Sequence, residues 1–209
     1  ISSLGLSAIR CFLSAAVMII IGLIVGMRKP FRKFDLVLFF ITGICGFSLY
    51  LVFFNLGLET LDSATGSIIT AISPILVAMA ATKLYREKIN KVGWFCIFGA
   101  FAGVVILLTW GNGLSISIGA VWMLMVALVF TVYSLLTRKL SAMGYTDIEI
   151  TAYSTIFGAI QTAIFLPEAF VDFIHADTSG KLGILYLGIF AGAIAYFLWG
   201  KALALTERT

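Results

Sequence analysis

A chain of 209 residues with 61% hydrophobic and 11% charged residues lacks the polar surface of a soluble globular domain, where about 25% are charged. Its formal charge of +4 and pI near 9.0 raise nucleic acid as a partner. The basic residues instead lie in gaps between apolar segments, with no aromatic-and-basic patch, so no nucleic-acid partner is expected.

A helix needs about 20 apolar residues to cross the bilayer core, and seven segments qualify. Segment A (about 5–27) carries Arg10, the one charge set inside a segment, about a turn and a half from its end. Arg10 either snorkels to the outer interface or pairs with an anionic group in a cavity. Segment B (about 34–58) presents Gly43, Tyr50, Phe54 and Gly57 on one face. Segment C (about 62–84) places Ser63, Ser67, Thr70, Pro74, Ala78 and Ala81 at helical spacing, opposite Ile68, Ile72, Ile75 and Met79. Small and polar residues turn inward in lipid, so the first of these faces is expected to pack. Pro74 removes a backbone hydrogen bond there, which either serves gating or gives a static bend.

Segment D (about 91–110) carries Gly99 and Gly103 at GxxxG spacing, as do Gly22 with Gly26 and Gly188 with Gly192. Segment E (about 116–138) offers Ala120, Ala127, Thr131 and Ser134. Segment F (about 148–167) offers Thr151, Ser154, Gly158, Gln161 and Phe165, with Tyr153 beside them. The gap after F sets Phe170, Val171, Phe173 and Ile174 among acids, which suits a short interfacial helix. Segment G (about 181–204) carries Gly188, Ala195, Tyr196, Trp199 and Ala202. The polar and aromatic residues Arg10, Tyr50, Ser67, Thr70, Pro74, Tyr153, Gln161, Tyr196 and Trp199 are the candidates for lining a pathway.

Basic residues alternate between gaps. Arg28, Lys29, Arg32 and Lys33, then Lys83, Arg86, Lys88 and Lys91, then Arg138 and Lys139 fill every second gap. Lys and Arg stay on the cytoplasmic side during insertion, so the alternation predicts a multi-pass protein of the cytoplasmic membrane whose chain begins on the outer face. No Asp, Glu or His is expected deep in the membrane, which leaves no proton relay in these segments. Cys11, Cys45 and Cys96 lie in apolar stretches without CxxC spacing or a nearby histidine, so no metal or cofactor is expected. An intramembrane enzyme would need a Ser/His pair, paired aspartates or a metal cluster, and the segments offer none.

A shift of 145 residues aligns Gly43 with Gly188, Gly46 with Ala191, Phe54 with Trp199 and Phe12 with Phe157. B then corresponds to G and A to F. Five crossings separate the members of each pair, so their directions are opposite, as in an inverted-topology repeat. The offset predicts ten helices in a complete protein with both termini cytoplasmic, one helix before Ile1 and two after Thr209.

Around B to D the pattern resembles a known family. Phe54-Asn-Leu-Gly-Leu-Glu-Thr-Leu-Asp-Ser-Ala, then Pro74, then Leu84-Tyr-Arg-Glu87 and Gly93, Gly99 and Gly103-Val, is similar to the EamA-type domain of the drug/metabolite transporter superfamily. Ala8-Ile-Arg10-Cys-Phe12 looks like the arginine-aromatic start of that family's second helix. Leu136-Thr-Arg138-Lys-Leu140 and Leu185 to Leu203 resemble parts of its second repeat, while Phe130 stands where Trp is frequent. The resemblance implies an all-α membrane fold of two inverted five-helix repeats, with most of the first in 1–110 and the start of the second in 111–209. It also implies a central cavity with alternating access and a small-molecule substrate, with efflux of amino acids or related compounds as the activity. The competing reading is a non-transporting scaffold or assembly subunit in the bilayer. A homo-oligomer fits either.

Overall fold

A computed structural model describes residues 2–27, 30, 32–85, 90–109, 117–196 and 198, and every regular element among them is helical. In chain order these are α1 (Ser3–Val25), α2 (Lys33–Gly43), a π-helical turn (Ile44–Ser48), α3 (Leu49–Leu58), α4 (Ser63–Thr70) and α5 (Ser73–Leu84). There follow α6 (Lys91–Thr109), α7 (Ile118–Ala142), α8 (Asp147–Thr162), a 3-10 turn (Ala163–Phe165), α9 (Leu166–His175), α10 (Thr178–Tyr186) and a second π-helical segment (Leu187–Ile194).

Five runs are long and apolar enough to cross a membrane: Ser3–Val25, Lys33–Leu58, Ser63–Leu84, Ile118–Ala142 and Asp147–His175. Among the described residues, the apolar runs Lys91–Gly103 and Thr178–Ile194 are shorter than a span. Over their described residues the seven predicted segments are helical, and F continues through a 3-10 turn into α9 instead of ending near 167.

Two compact units form, one from Ile1–Val52 with Leu136–Thr209, the other from Phe53–Leu135. In the first unit α1 lies antiparallel to α8 and α9. Ser2 meets Asp172, Ile9 meets Ala169, and Met18 meets Ala152. The α2 helix runs parallel to α8, with Phe39 against Tyr153 and Ser48 against Gln161. The run through α10 goes parallel to α1, with Ile184 beside Ile9 and Ala193 beside Met18. Hence α2 and α10 point in opposite directions, and so do α1 and α8.

The same unit is closed at one end by two capped helix starts. Asp35 is 1% exposed and accepts from the Arg32 N–H at 3.1 Å and from the Tyr145 hydroxyl at 2.6 Å. Glu149 is 3% exposed and accepts from the Thr146 N–H at 2.8 Å, while the Thr146 hydroxyl accepts from the Glu149 N–H. Each acid satisfies an amide that the helix start leaves open. Phe39, Leu140, Tyr145 and Ile150 pack over this corner.

In the second unit Met123 fills the space beside two glycines. A Cβ on Gly57 or Gly66 would lie 2.7 and 2.8 Å from its methyl carbon. Phe53 stacks on Trp122 with centroids 5.4 Å apart, and the Tyr85 hydroxyl donates to the Leu135 carbonyl. Large apolar side chains remain outside, Phe95 at 79% exposure among them, as a lipid-facing helix requires.

The structure moves the packed face of segment C. Gly66, Ile69, Ile72 and Ser73 are buried, whereas Ser63 and Ser67 are exposed and Ile68 is 44% exposed. The Ser67 hydroxyl donates to the Ser63 carbonyl and Thr70 to the Ser67 carbonyl, so neither needs a partner on another helix. Pro74 lies in the first turn of α5, where a missing N–H costs nothing. The break falls just before it, at Ala71–Ile72, and separates α4 from α5.

Candidate functional site

A cavity of about 180 Å³ opens inside the first unit. Arg10 and Ser14 of α1 line it, with Gly46 and Phe47 of the first π-helical turn, Tyr50 and Leu51 of α3, Ala191 and Gly192 of the second π-helical segment, and Tyr196.

The two π-helical stretches are related by the 145-residue shift, which carries Ile44–Ser48 onto 189–193, inside Leu187–Ile194. In each, an amide reaches five residues back: Leu49 N–H donates to the Ile44 carbonyl, and Ala195 N–H to the Phe190 carbonyl. Such widened turns are rare in helices and concentrate at functional sites. Gly46 and Ala191, partners under the shift, both face the cavity.

Close glycine contacts hold this geometry. A Cβ on Gly43 would fall 2.8 Å from the Ser154 carbonyl oxygen and 3.0 Å from the Gly158 nitrogen. A Cβ on Gly188 would fall 2.7 Å from that of Leu13, and the shift carries Leu13 onto Gly158. A Cβ on Gly192 would run into the Ser14 hydroxyl, which donates to the Gly188 carbonyl at 2.9 Å. The Gly188–Gly192 spacing therefore marks a true helix contact. Around Gly99 and Gly103 nothing lies within 4 Å, and Gly26 is a left-handed cap with φ of 82°.

Of the residues singled out from sequence, Arg10, Tyr50 and Tyr196 come together at the cavity. Arg10 Nε is buried and has no hydrogen-bond partner. Tyr196 packs on Phe47 with centroids 5.3 Å apart.

The others lie elsewhere. Gln161 is a tie between helices: its Oε1 accepts from the Ser48 hydroxyl at 2.6 Å and its Nε2 donates to the Phe40 carbonyl at 3.0 Å. Tyr153 packs against Phe39. Ser67, Thr70 and Pro74 belong to the second unit, and Trp199 lies outside the described residues.

Sequence reasoning did not single out Ser14, Phe47, Leu51 or Gly192 as lining residues, nor the buried acids Asp35 and Glu149. For Glu149 a signal was present, because Thr146-x-x-Glu149 is the capping-box pattern. Among the described residues no group of three or more His, Cys, Asp or Glu could hold a metal ion.

Comparison with known proteins adds the following. The EamA-like transporter family matches residues 1–109 and 117–209. A probable terminal-alkyne amino-acid exporter of Streptantibioticus cattleyicolor is 29% identical over 203 residues, covering 96% of this chain and 67% of the exporter. The uncharacterized transporter YdfC of Bacillus subtilis is 25% identical over 192 residues, covering 92% of this chain and 62% of that protein. The chain thus spans about two thirds of the length of these relatives. A crystal structure with a TM-score of 0.64 and 19% identity covers 96% of this chain and 70% of its own, and shares the fold.

Proposed function

Because this chain belongs to the EamA-like transporter family, we propose that it carries the substrate cavity of a secondary transporter that exports small metabolites, amino acids or related compounds, from the cytoplasm. Its setting is a multi-pass protein of the cytoplasmic membrane, with the basic gaps on the cytoplasmic side. Residues 1–110 and 111–209 then belong to two inverted repeats.

One observation carries this reading. A cationic, partly polar cavity sits where two oppositely directed helical runs each widen into a π-helical turn at equivalent positions. A widened turn is a point where a helix bends at low cost. Two of them, one on each side of a shared site, allow the site to face either membrane surface in turn. The relative named as a probable amino-acid exporter supports the substrate class and the direction.

Flux in proteoliposomes tests the proposal. The full-length protein is reconstituted and loaded with a panel of radiolabelled amino acids, monocarboxylates and organic cations. Saturable, protein-dependent efflux of at least one compound is the expected result. No flux of any of them refutes it.

A further inference from the structure

We infer that the Arg10 cavity recognises its ligand by a carboxylate and takes small monocarboxylates with an apolar body, for which an amino group is dispensable. This rests on the transporter reading and narrows it.

The charge of the site comes first. Among its described lining residues Arg10 is a cation and none is acidic; Ser14, Tyr50 and Tyr196 are polar, and Phe47 and Leu51 apolar. A guanidinium taken out of water is stabilised only by an opposite charge and further hydrogen bonds. The Nε of Arg10 is buried with no partner in the protein. The Ser14 hydroxyl donates to the Gly188 carbonyl at 2.9 Å. A carboxylate satisfies the fork of a guanidinium with two parallel hydrogen bonds, which an amide or an amine does not. No described side chain at the cavity is a carboxylate that would pair with a ligand ammonium, so an ammonium gains no charged partner there.

Size and polarity set the rest of the ligand. A cavity of roughly 150 Å³ admits benzene, and this one is about 180 Å³. The occupant therefore has about seven or eight non-hydrogen atoms. Phe47, Leu51 and the rings of Tyr50 and Tyr196 give its body an apolar wall.

Four compounds of matched shape separate these terms: isovalerate, valine, isovaleramide and isopentylamine. Binding to the full-length protein in nanodiscs is measured by calorimetry. Isovalerate and valine are expected to bind, with isovaleramide about tenfold weaker or more and isopentylamine weaker still. Arg10→Gln removes the preference of isovalerate over isovaleramide, and Arg10→Lys keeps part of it. The comparison among ligands on the unaltered protein stands even where a variant does not fold. Equal binding of isovaleramide and isovalerate overturns the inference, and so does binding of valine without isovalerate. If the flux panel finds a transported compound while isovalerate does not bind, the carboxylate assignment fails and the transporter reading stands. If isovalerate binds and nothing is transported, the transporter reading fails alone.

Discussion

Gly43 lies so close to Gly158 that a Cβ on the first would reach within 3.0 Å of the backbone nitrogen of the second. The positions related to them by the 145-residue shift, Gly188 and Leu13, make the equivalent contact on the other side of the α1–α8 pair. Gly43 immediately precedes the first π-helical segment and Gly188 lies within the second, and both segments line the Arg10 cavity. Close backbone approach and cavity formation are thus parts of one arrangement.

Gly43→Ala is expected to destabilise the protein by about 1–3 kcal/mol, because the new methyl meets a backbone carbonyl oxygen and an amide that cannot rotate away. Gly99→Ala, with nothing within 4 Å, is expected to be neutral or to gain up to about 1 kcal/mol from helix propensity. Unfolding of the purified chain in detergent, followed by far-UV circular dichroism, compares the two. Equal losses would show that the glycine contacts are not selective.

Gln161→Ala is expected to cost about 1–3 kcal/mol of stability, since it removes two hydrogen bonds that join α8 to the α2 run. Its effect on ligand affinity is expected to be small, because Gln161 does not line the cavity. Calorimetric affinity and unfolding free energy, measured on one preparation, check both halves. An affinity loss without a stability loss would return Gln161 to the pathway.

Tyr145→Phe deletes the 2.6 Å hydrogen bond to Asp35, an acid almost wholly inside the protein whose other oxygen, Oδ1, already has no partner. Removing a donor from a buried carboxylate is expected to cost about 1.5–3 kcal/mol. Pairing the change with Asp35→Asn in a double-mutant cycle measures the coupling. Additive losses would mean that the two side chains do not depend on one another.

Asp62 lies before the span Ser63–Leu84 and caps α4, accepting from the Thr65 N–H at 2.9 Å and the Thr65 hydroxyl at 2.7 Å. These bonds hold its carboxyl below the usual range. A folded-state pKa below the unfolded one stabilises above the unfolded value, about 3.9, and the contribution is lost as pH falls through the folded value. Asp62→Ala is therefore expected to lower the thermal midpoint at neutral pH, with the difference closing as pH drops below about 4. A constant difference down to strongly acidic pH would assign the effect to something other than the carboxylate.

The apolar segments, the basic alternation and the 145-residue offset are legible along the chain because each is a pattern of residue type. Apolar length measures membrane crossing directly. Which side of a helix packs is harder to read. In lipid the exposed face is as apolar as the buried one, so a moment carries little information. That is why the serine face of segment C was expected inside, while Gly66 and Ile69 are buried. For the same reason Gln161 and Tyr153 could not be told apart from Tyr50 and Tyr196 as lining residues.

By itself the sequence determined a multi-pass helical membrane protein and its family. Only the tertiary structure decided that Arg10, Tyr50 and Tyr196 share one cavity, that Gln161 is a tie and that the paired helices widen at the same place. The physical reason is distance along the chain. Tyr50 and Tyr196 line one cavity, and Gly43, beside it, packs on the backbone of Ser154 and Gly158 at a closeness that depends on two backbones at once. No single stretch of sequence encodes that closeness.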